Sequence, residues 1–267
     1  MSRGPVKSAV RVLEILRLFS EQRRELNQKD IIGSLNYPQS STTFLLKSMV
    51  DTGFLSFDRK RRTYLPTPEV YRIGEWLEHL GYEHMFRESV LTAMMEDLRA
   101  NTGQTVSLTT QNDIFVQWHR IVGDVLPSTQ RVSEGGSLPL TWSAYGWLLL
   151  SRETDVHIDR IVRLIKARET DPAHKFDVAE MTAKIREVRT KNVFYMVNQR
   201  LSGAAACAAL LPVKIAGRNV AVGIGGDRSE IGPQRDKIMQ NLTDTLAAFR
   251  SELISTFCEE HSLAIAA

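Results

Sequence analysis

The sequence predicts an α+β protein in two parts. A small helical head ends in a β-hairpin, and a longer body carries a curved, mainly antiparallel sheet flanked by helices. Three observations predict this. Apolar residues recur at three- and four-residue steps over the first fifty positions. Two short runs of strand formers then bracket the basic turn Asp58-Arg59-Lys60-Arg61-Arg62. Further on, strand-like segments alternate with helical ones, and their short connections favour antiparallel pairing.

Length and composition set the outer bounds. The 267 residues suit two modest domains, and 43% hydrophobic with 24% charged residues permits a packed core. Two cysteines, Cys207 and Cys258, supply neither a disulfide framework nor a four-cysteine zinc site. The apolar run Leu138–Leu150 is shorter than the ~20 residues of a spanning helix. The N-terminus lacks the apolar stretch of a secretory signal. A cytoplasmic protein is expected. The net charge of +3 is unevenly spread: residues 1–66 hold 12 basic and 6 acidic side chains, and the remainder holds 22 and 25. A basic first quarter on a mildly acidic body suits a polyanion-binding head, or a solvated basic face without a partner.

In the head, residues 7–20 read as an amphipathic helix, with Ser8 as N-cap and Ala9, Val12, Leu13, Leu16 and Phe19 on one face. A short second helix spans Asn27–Leu35, capped by Asn27, with Ile31, Ile32 and Leu35 inward. Asn36-Tyr37-Pro38 breaks the pattern. A third helix runs from Pro38 to about Asp51, and Gly53 sits where a left-handed stop falls. At about 100° per residue, Thr42, Leu45, Leu46 and Met49 share a core stripe. Ser40, Thr43, Phe44 and Lys47 share the opposite side. Short polar and basic side chains there reach base edges and phosphates. Phe44 either packs on a thymine methyl or folds back on the second helix.

A hairpin follows, with strands Phe54–Phe57 and Thr63–Leu65 and a four-residue basic tip. Three helices and such a hairpin make a winged helix-turn-helix, whose third helix enters the major groove while the wing tip meets phosphates or the minor groove. The expected DNA contacts are Gln39, Ser40, Ser41, Thr43, Phe44, Lys47, Arg59, Lys60, Arg61 and Arg62, and the expected partner is double-stranded DNA.

The expected boundaries are 1–67 for the head, 68–82 for a linker helix and 83–267 for an effector-binding and oligomerisation domain. Val70, Ile73, Trp76, Leu77 and Leu80 fall at helical spacing in the linker. A helix over 87–101 follows, and these apolar faces suit pairing with a second copy. Strands are expected at Gln104–Thr110, Ile114–His119, Pro127–Arg131, Val193–Val197, Ala204–Val213 and Asn219–Gly225. Helices are expected from Ser143, over 154–168 and 177–191, and from Pro233 to Cys258.

With these elements in order, the chain resembles the IclR family of transcriptional regulators. The resemblance rests on VKSAVRVLEIL, LNYPQSSTTFLLKSMVDTGFL, RRTYLPTPEVYRIG, LPLTWSAYGWLLLS, IREVRTKNVFYMVNQ, AALLPV and NVAVGIGGD, in register from about Val6 to Leu253. It implies a DNA-binding regulator, repressor or activator, acting as a dimer or dimer of dimers on promoters of genes for catabolism of an organic acid or aromatic compound. It also implies a small-molecule effector held between Leu138–Gly146 and the last three strands. Two departures stand out. The family often has His-Arg where this chain has Thr43-Phe44. Its polar effector anchor is commonly an Asp, a Cys and two Ser, which fall here at Asn198, Ala208, Gly223 and Gly225. Cys207 lies one residue away, on the opposite strand face unless the register slips. Tyr145 stands where relatives usually have a small residue.

The resulting candidate effector residues are Leu138, Leu140, Trp142, Ala144, Tyr145, Asn198, Cys207, Ala208, Gly223 and Gly225. Such a pocket suits an aromatic or apolar ligand better than a two-carbon acid. Alternatively Tyr145 fills it and the regulator takes no effector. An enzyme or interaction module with a basic recruitment head is the remaining class. No cofactor, metal or catalytic residue is expected. Gly223-Ile224-Gly225-Gly226-Asp227 lacks the third glycine of a dinucleotide loop, no P-loop, GxSxG or HExxH occurs, and no two histidines stand at i, i+4.

Overall fold

The computed structural model describes residues 6–86, 89–124, 132–198, 201 and 203–264, with side chains to Phe257. The chain divides into two compact units, Met1–Glu78 and His79–Ala267. The expected strand Pro127–Arg131 lies outside the described residues.

In the first unit, α1 (Lys7–Gln22) starts from an extended Val6 with no side-chain cap, so Ser8 is inside the helix rather than at its cap. Its buried face is Ile15, Leu18 and Phe19, with Val12 and Leu16 packed beside them, while Leu13 is 66% exposed. The expected stripe was rotated because Val12, Leu13 and Leu16 fit two adjacent helical faces equally well. Strand β1 (Leu26–Asn27) leads into α2 (Gln28–Leu35). Asn27 accepts from Asp30 N and the Asp30 carboxylate accepts from Asn27 N, a reciprocal cap. Helix α3 (Gln39–Asp51) buries Thr42, Leu46 and Met49, and Gly53 follows at φ +83°, a conformation that glycine adopts without strain. Strands β2 (Leu55–Asp58) and β3 (Thr63–Pro66) form the hairpin, and β1 pairs antiparallel with β3 to make a third strand that the sequence pattern did not suggest. Two residues are too few for a period-two signal. Helix α4 (Pro68–Glu75), capped by Thr67 with proline in its first turn, is shorter than the expected 68–82. Short 3-10 turns at Glu78–Leu80 and Tyr82–Met85 follow it, with Gly81 left-handed between them.

In the second unit, α5 (Val90–Thr102) precedes β4 (Thr105–Asn112) and β5 (Phe115–Val122). Then come β6 (Ser137–Pro139), a 3-10 turn at Leu140–Trp142, α6 (Ala144–Ser151), α7 (Asp155–Arg168) and α8 (Val178–Glu187). Strands β7 (Val193–Val197), β8 (Ala204–Ile215) and β9 (Arg218–Asp227) lead to α9 (Arg228–Ile231), α10 (Arg235–Ala248) and α11 (Arg250–Ala264). The closing helix expected from Pro233 to Cys258 is therefore two helices, broken at Phe249. All strand pairs are antiparallel, in the order β6-β5-β4-β9-β8-β7. Register shifts at Leu108/Thr109 and Leu210/Lys214 bend the sheet, as bulges do.

The two-residue period of the strands sorts the core into halves. Val106, Leu108, Val220, Val222, Ile224, Ala205 and Cys207 face one side, with α5, α10 and α11 residues such as Leu91, Met94, Ile238, Leu242 and Leu253. Trp118, Ala208, Ala221, Phe194 and Leu210 face the other, with Tyr145, Leu148, Ile158 and Ile185 from α6, α7 and α8. Among the described residues no helix is long and apolar enough to cross a membrane.

Candidate functional site

The first site is the outer face of α3 with the hairpin tip. Gln39, Ser40, Thr43, Phe44 and Lys47 are all exposed. Phe44 is 72% exposed, so it does not fold back on α2. The Thr43 hydroxyl accepts from Gln28 Nε2 at 2.6 Å and donates to Gln39 O at 2.9 Å, which fixes its rotamer. Ser41 is half-buried, accepting from Arg11 Nη1 at 3.2 Å and donating to Pro38 O, so it is tied to α1 rather than presented with the others.

At the tip, Asp58 Oδ1 accepts from Lys60 N and Arg61 N, and these two bonds first, then the Arg61 charge, hold its carboxyl below the usual range. This turn projects Arg59, Lys60 and Arg62 outward, exposed and without an ion pair among the described residues. Arg61 is different. Its Nη1 lies 3.1 Å from both oxygens of Glu25, and its Nε lies 3.8 Å from Asp58. The tip therefore offers three unpaired cations, and its fourth is half-neutralised. A row of short polar side chains, one bare aromatic ring and four cations is chemically a surface for base edges and phosphates.

The second site is a cavity of about 70 Å³ between the start of α6 and the concave sheet face. Leu138, Ala144, Tyr145, Asn198 and Gly225 line it, and Leu140, Trp142, Cys207, Ala208 and Gly223 do not. Each exclusion has a cause. Leu140 is fully buried in the helical half of the core. Trp142 lies in the 3-10 turn and ahead of an extended Ser143, and it borders a separate cavity instead. Ala208 faces the Tyr145 side but is the β8 partner of Gly223, in the row that the Tyr145 ring covers, whereas Cys207 faces α10, its Sγ 4.0 Å from Arg235 O. The strand register thus keeps Cys207 off the cavity face, and burial pushes its thiol up to about 12.

Gly223 is covered. A Cβ there would sit 2.5 Å from Cys207 O and 2.6 Å from the Tyr145 ring. At Gly225 the same atom would meet nothing closer than 3.8 Å. The Tyr145 ring therefore occupies the space above Gly223, and the open volume lies toward Gly225. The ring is held from two sides: Ser107 Oγ donates to Tyr145 Oη at 2.8 Å, and Trp118 packs edge-on at 5.8 Å between centroids. Burial raises the phenol above its ordinary range, so it stays protonated.

Residue patterns did not point to Thr105, Ser107, Trp118, Met196, Leu201 and Ala204–Ala206, which complete much of the wall. One signal was present. Thr105, Ser107 and Thr109 alternate with Val106 and Leu108 in β4, which marks a polar face opposite an apolar one. Among the described lining residues there is no lysine, arginine or histidine, and the one carboxylate is Asp124.

Two family models match this chain. Residues 8–59 match the IclR helix-turn-helix domain, and residues 85–251 match the bacterial transcriptional regulator IclR C-terminal domain. A curated relative named "Probable transcriptional regulator SauR", from Cupriavidus necator, is 24% identical over 260 residues, covering 97% of this chain and 100% of its own. The effector domain of the transcriptional regulator IclR from Acinetobacter sp. ADP1 is 30% identical, with a TM-score of 0.56, over 60% of this chain and 94% of that one. An IclR homolog from Microbacterium hydrocarbonoxydans, solved in complex with 4-hydroxybenzoate, is 14% identical with a TM-score of 0.61, over 93% and 99%.

Proposed function

Because the chain belongs to the IclR family of DNA-binding transcriptional regulators, we propose that it is a ligand-responsive member whose effector is small and aromatic or apolar. The observation that carries this is the cavity beside Gly225, walled by Trp118, Tyr145, Leu138 and Met196, with Thr105, Ser107, Asp124, Ser143 and Asn198 as its polar points. Apolar walls with a few placed polar groups are the usual makeup of a small-molecule site. The 4-hydroxybenzoate complex of the Microbacterium homolog supports the aromatic class. Genes for catabolism of an aromatic compound or organic acid are the corresponding targets, and the cytoplasm is the corresponding compartment.

DNA contact in this reading is made by Gln39, Ser40, Thr43, Phe44 and Lys47 in the major groove, and by Arg59, Lys60 and Arg62 on the backbone. Exposed apolar side chains support pairing with a second copy: Val6 and Leu13 at α1, and Tyr71, Ile73 and Trp76 at α4 and its end. A dimer would join two half-sites and raise affinity without new contacts. The effector acts by binding one arrangement of the paired heads better than the other, since equal affinity would shift nothing.

The test is a reporter driven by the regulated promoter, compared in cells carrying the wild type and Gly225→Leu. A Cβ at Gly225 meets nothing closer than 3.8 Å, so the larger side chain is aimed at the open volume. Loss of the inducing response with retained operator occupancy is expected. A normal response in the filled variant would show that Tyr145 already closes the pocket and that regulation proceeds without an effector there.

A further inference from the structure

Gln28, the first residue of α2, is joined to Thr43 on the exposed face of α3. Its Nε2 donates to Thr43 Oγ1 at 2.6 Å, and the Thr43 hydroxyl donates in turn to Gln39 O at 2.9 Å. We propose that Gln28 is a specificity-determining residue. It positions Thr43 with its methyl group free for DNA, so that Thr43 and Phe44 together read the methyl groups of two thymines. The proposal rests on the DNA-binding reading above and adds which feature of a base pair the recognition face selects.

A threonine hydroxyl has one proton to give. At Thr43 that proton is spent on Gln39 O, so none is left for the acceptors that guanine, adenine and thymine show in the major groove. A helical threonine divides between two rotamers, because its hydroxyl can bond the carbonyl one turn back. Gln28 bonds the oxygen in one of them and thereby selects it. With the oxygen tied on two sides, the methyl is the part of this exposed side chain left for a partner.

The neighbouring residue has the same chemistry. Phe44 is 72% exposed, and both a threonine methyl and a phenylalanine ring make apolar contact with the thymine methyl. Gln28, Thr43 and Gln39 are all neutral, so this selectivity releases no counterions and is independent of salt, unlike contacts made by the wing. The link from α2 to α3 spans fifteen positions. Gln28 itself is half-buried. It acts on the DNA through Thr43.

The test starts from a duplex that the wild-type full chain enriches from a random pool. Each thymine in it is replaced in turn by deoxyuridine, the same base without its methyl. Fluorescence anisotropy gives the affinity ratio at each position for the wild type, Gln28→Ala, Gln28→Ala/Thr43→Val and Phe44→Ala. None of these positions belongs to the buried core of the head, so the variants keep its packing. The wild type is expected to bind about fourfold more weakly at each of two substituted thymines, the worth of one methyl-sized group taken out of water. At one of them the loss shrinks to less than about twofold in Gln28→Ala, because Thr43 then divides between rotamers. It returns to about fourfold in the double variant, since the two valine methyls fill both places between which the threonine methyl moves. The other thymine becomes indifferent in Phe44→Ala alone. A wild type indifferent to every uracil overturns the proposal, as does an unchanged pattern in Gln28→Ala. A loss that Thr43→Val fails to restore gives Gln28 a purely structural role and overturns it too. A wild type that enriches no sequence defeats the DNA-binding reading itself, and this proposal with it.

Discussion

Ser107 and Tyr145 are joined by a buried hydrogen bond of 2.8 Å that runs from β4 to α6 across the cavity wall. Gly223 is the β9 partner of Ser107, so the phenol lies over the one position in that row without a side chain. Tyr145→Phe keeps the ring and strands the serine hydroxyl. It is expected to cost about 1 kcal/mol, read as a lower urea midpoint with an unchanged slope. A variant as stable as the wild type would show that the serine finds another partner.

The two glycines of the same strand make a matched pair. Gly223→Ala drives a Cβ into Cys207 O and the Tyr145 ring, and overpacking of this kind costs about 1–3 kcal/mol. Gly225→Ala meets only ordinary contacts and is expected to fold with nearly wild-type stability. Equal thermal midpoints for the two would contradict the placement of Tyr145.

At the wing, replacing Arg59, Lys60 and Arg62 by alanine is expected to lower the slope of log affinity against log salt by about 0.9 for each phosphate no longer neutralised. Arg61→Ala is expected to change that slope less, because Glu25 and Asp58 already share its charge. Titrations at several salt concentrations separate the two. An Arg61→Ala effect of about 0.9, as large as that of any one of the other three, would mean that the Glu25 pair opens on DNA.

Phe44→Ala removes an exposed ring from the recognition face. Roughly tenfold weaker operator binding is expected, at unchanged salt slope and unchanged protein stability, since apolar contact with a thymine methyl carries no counterion release. Loss of stability instead would place the ring in a packing role.

Burial, and secondarily the Arg218 charge, holds the His119 imidazole below its ordinary value of 6.5. The unfolded chain therefore takes up the proton first as pH falls. The stability due to neutral His119 is complete above about pH 6.5 and is lost below it. Denaturation between pH 5 and 7.5 should show this slope in the wild type and a flatter one in His119→Gln.

Much of this architecture was legible in residue patterns. The cap at Asn27, the stop at Gly53 and the hairpin turn each depend on a few neighbouring residues, and each appears where local chemistry places it. The face of α1 did not, because Val12, Leu13 and Leu16 fit two stripes and only packing against α2 and α3 chooses. The cavity was legible to the level of its strands. Alternation in β8 put Cys207 and Ala208 on opposite faces, and the register bears out that arrangement. What spacing does not encode is the 3-10 turn that sends Trp142 to a different cavity from Tyr145, three residues away. Ser107 was missed for a related reason: its partner is 38 positions distant.

Sequence-specific DNA binding through α3 and the wing is tested most directly by titrating the purified protein against its own upstream intergenic DNA, at two salt concentrations and with nonspecific competitor. Tight, competitor-resistant binding is expected, weakened by Phe44→Ala and rendered less salt-dependent in the Arg59/Lys60/Arg62 triple alanine variant. Binding that competitor abolishes, with neither variant distinguishable from the wild type, would refute recognition through this surface.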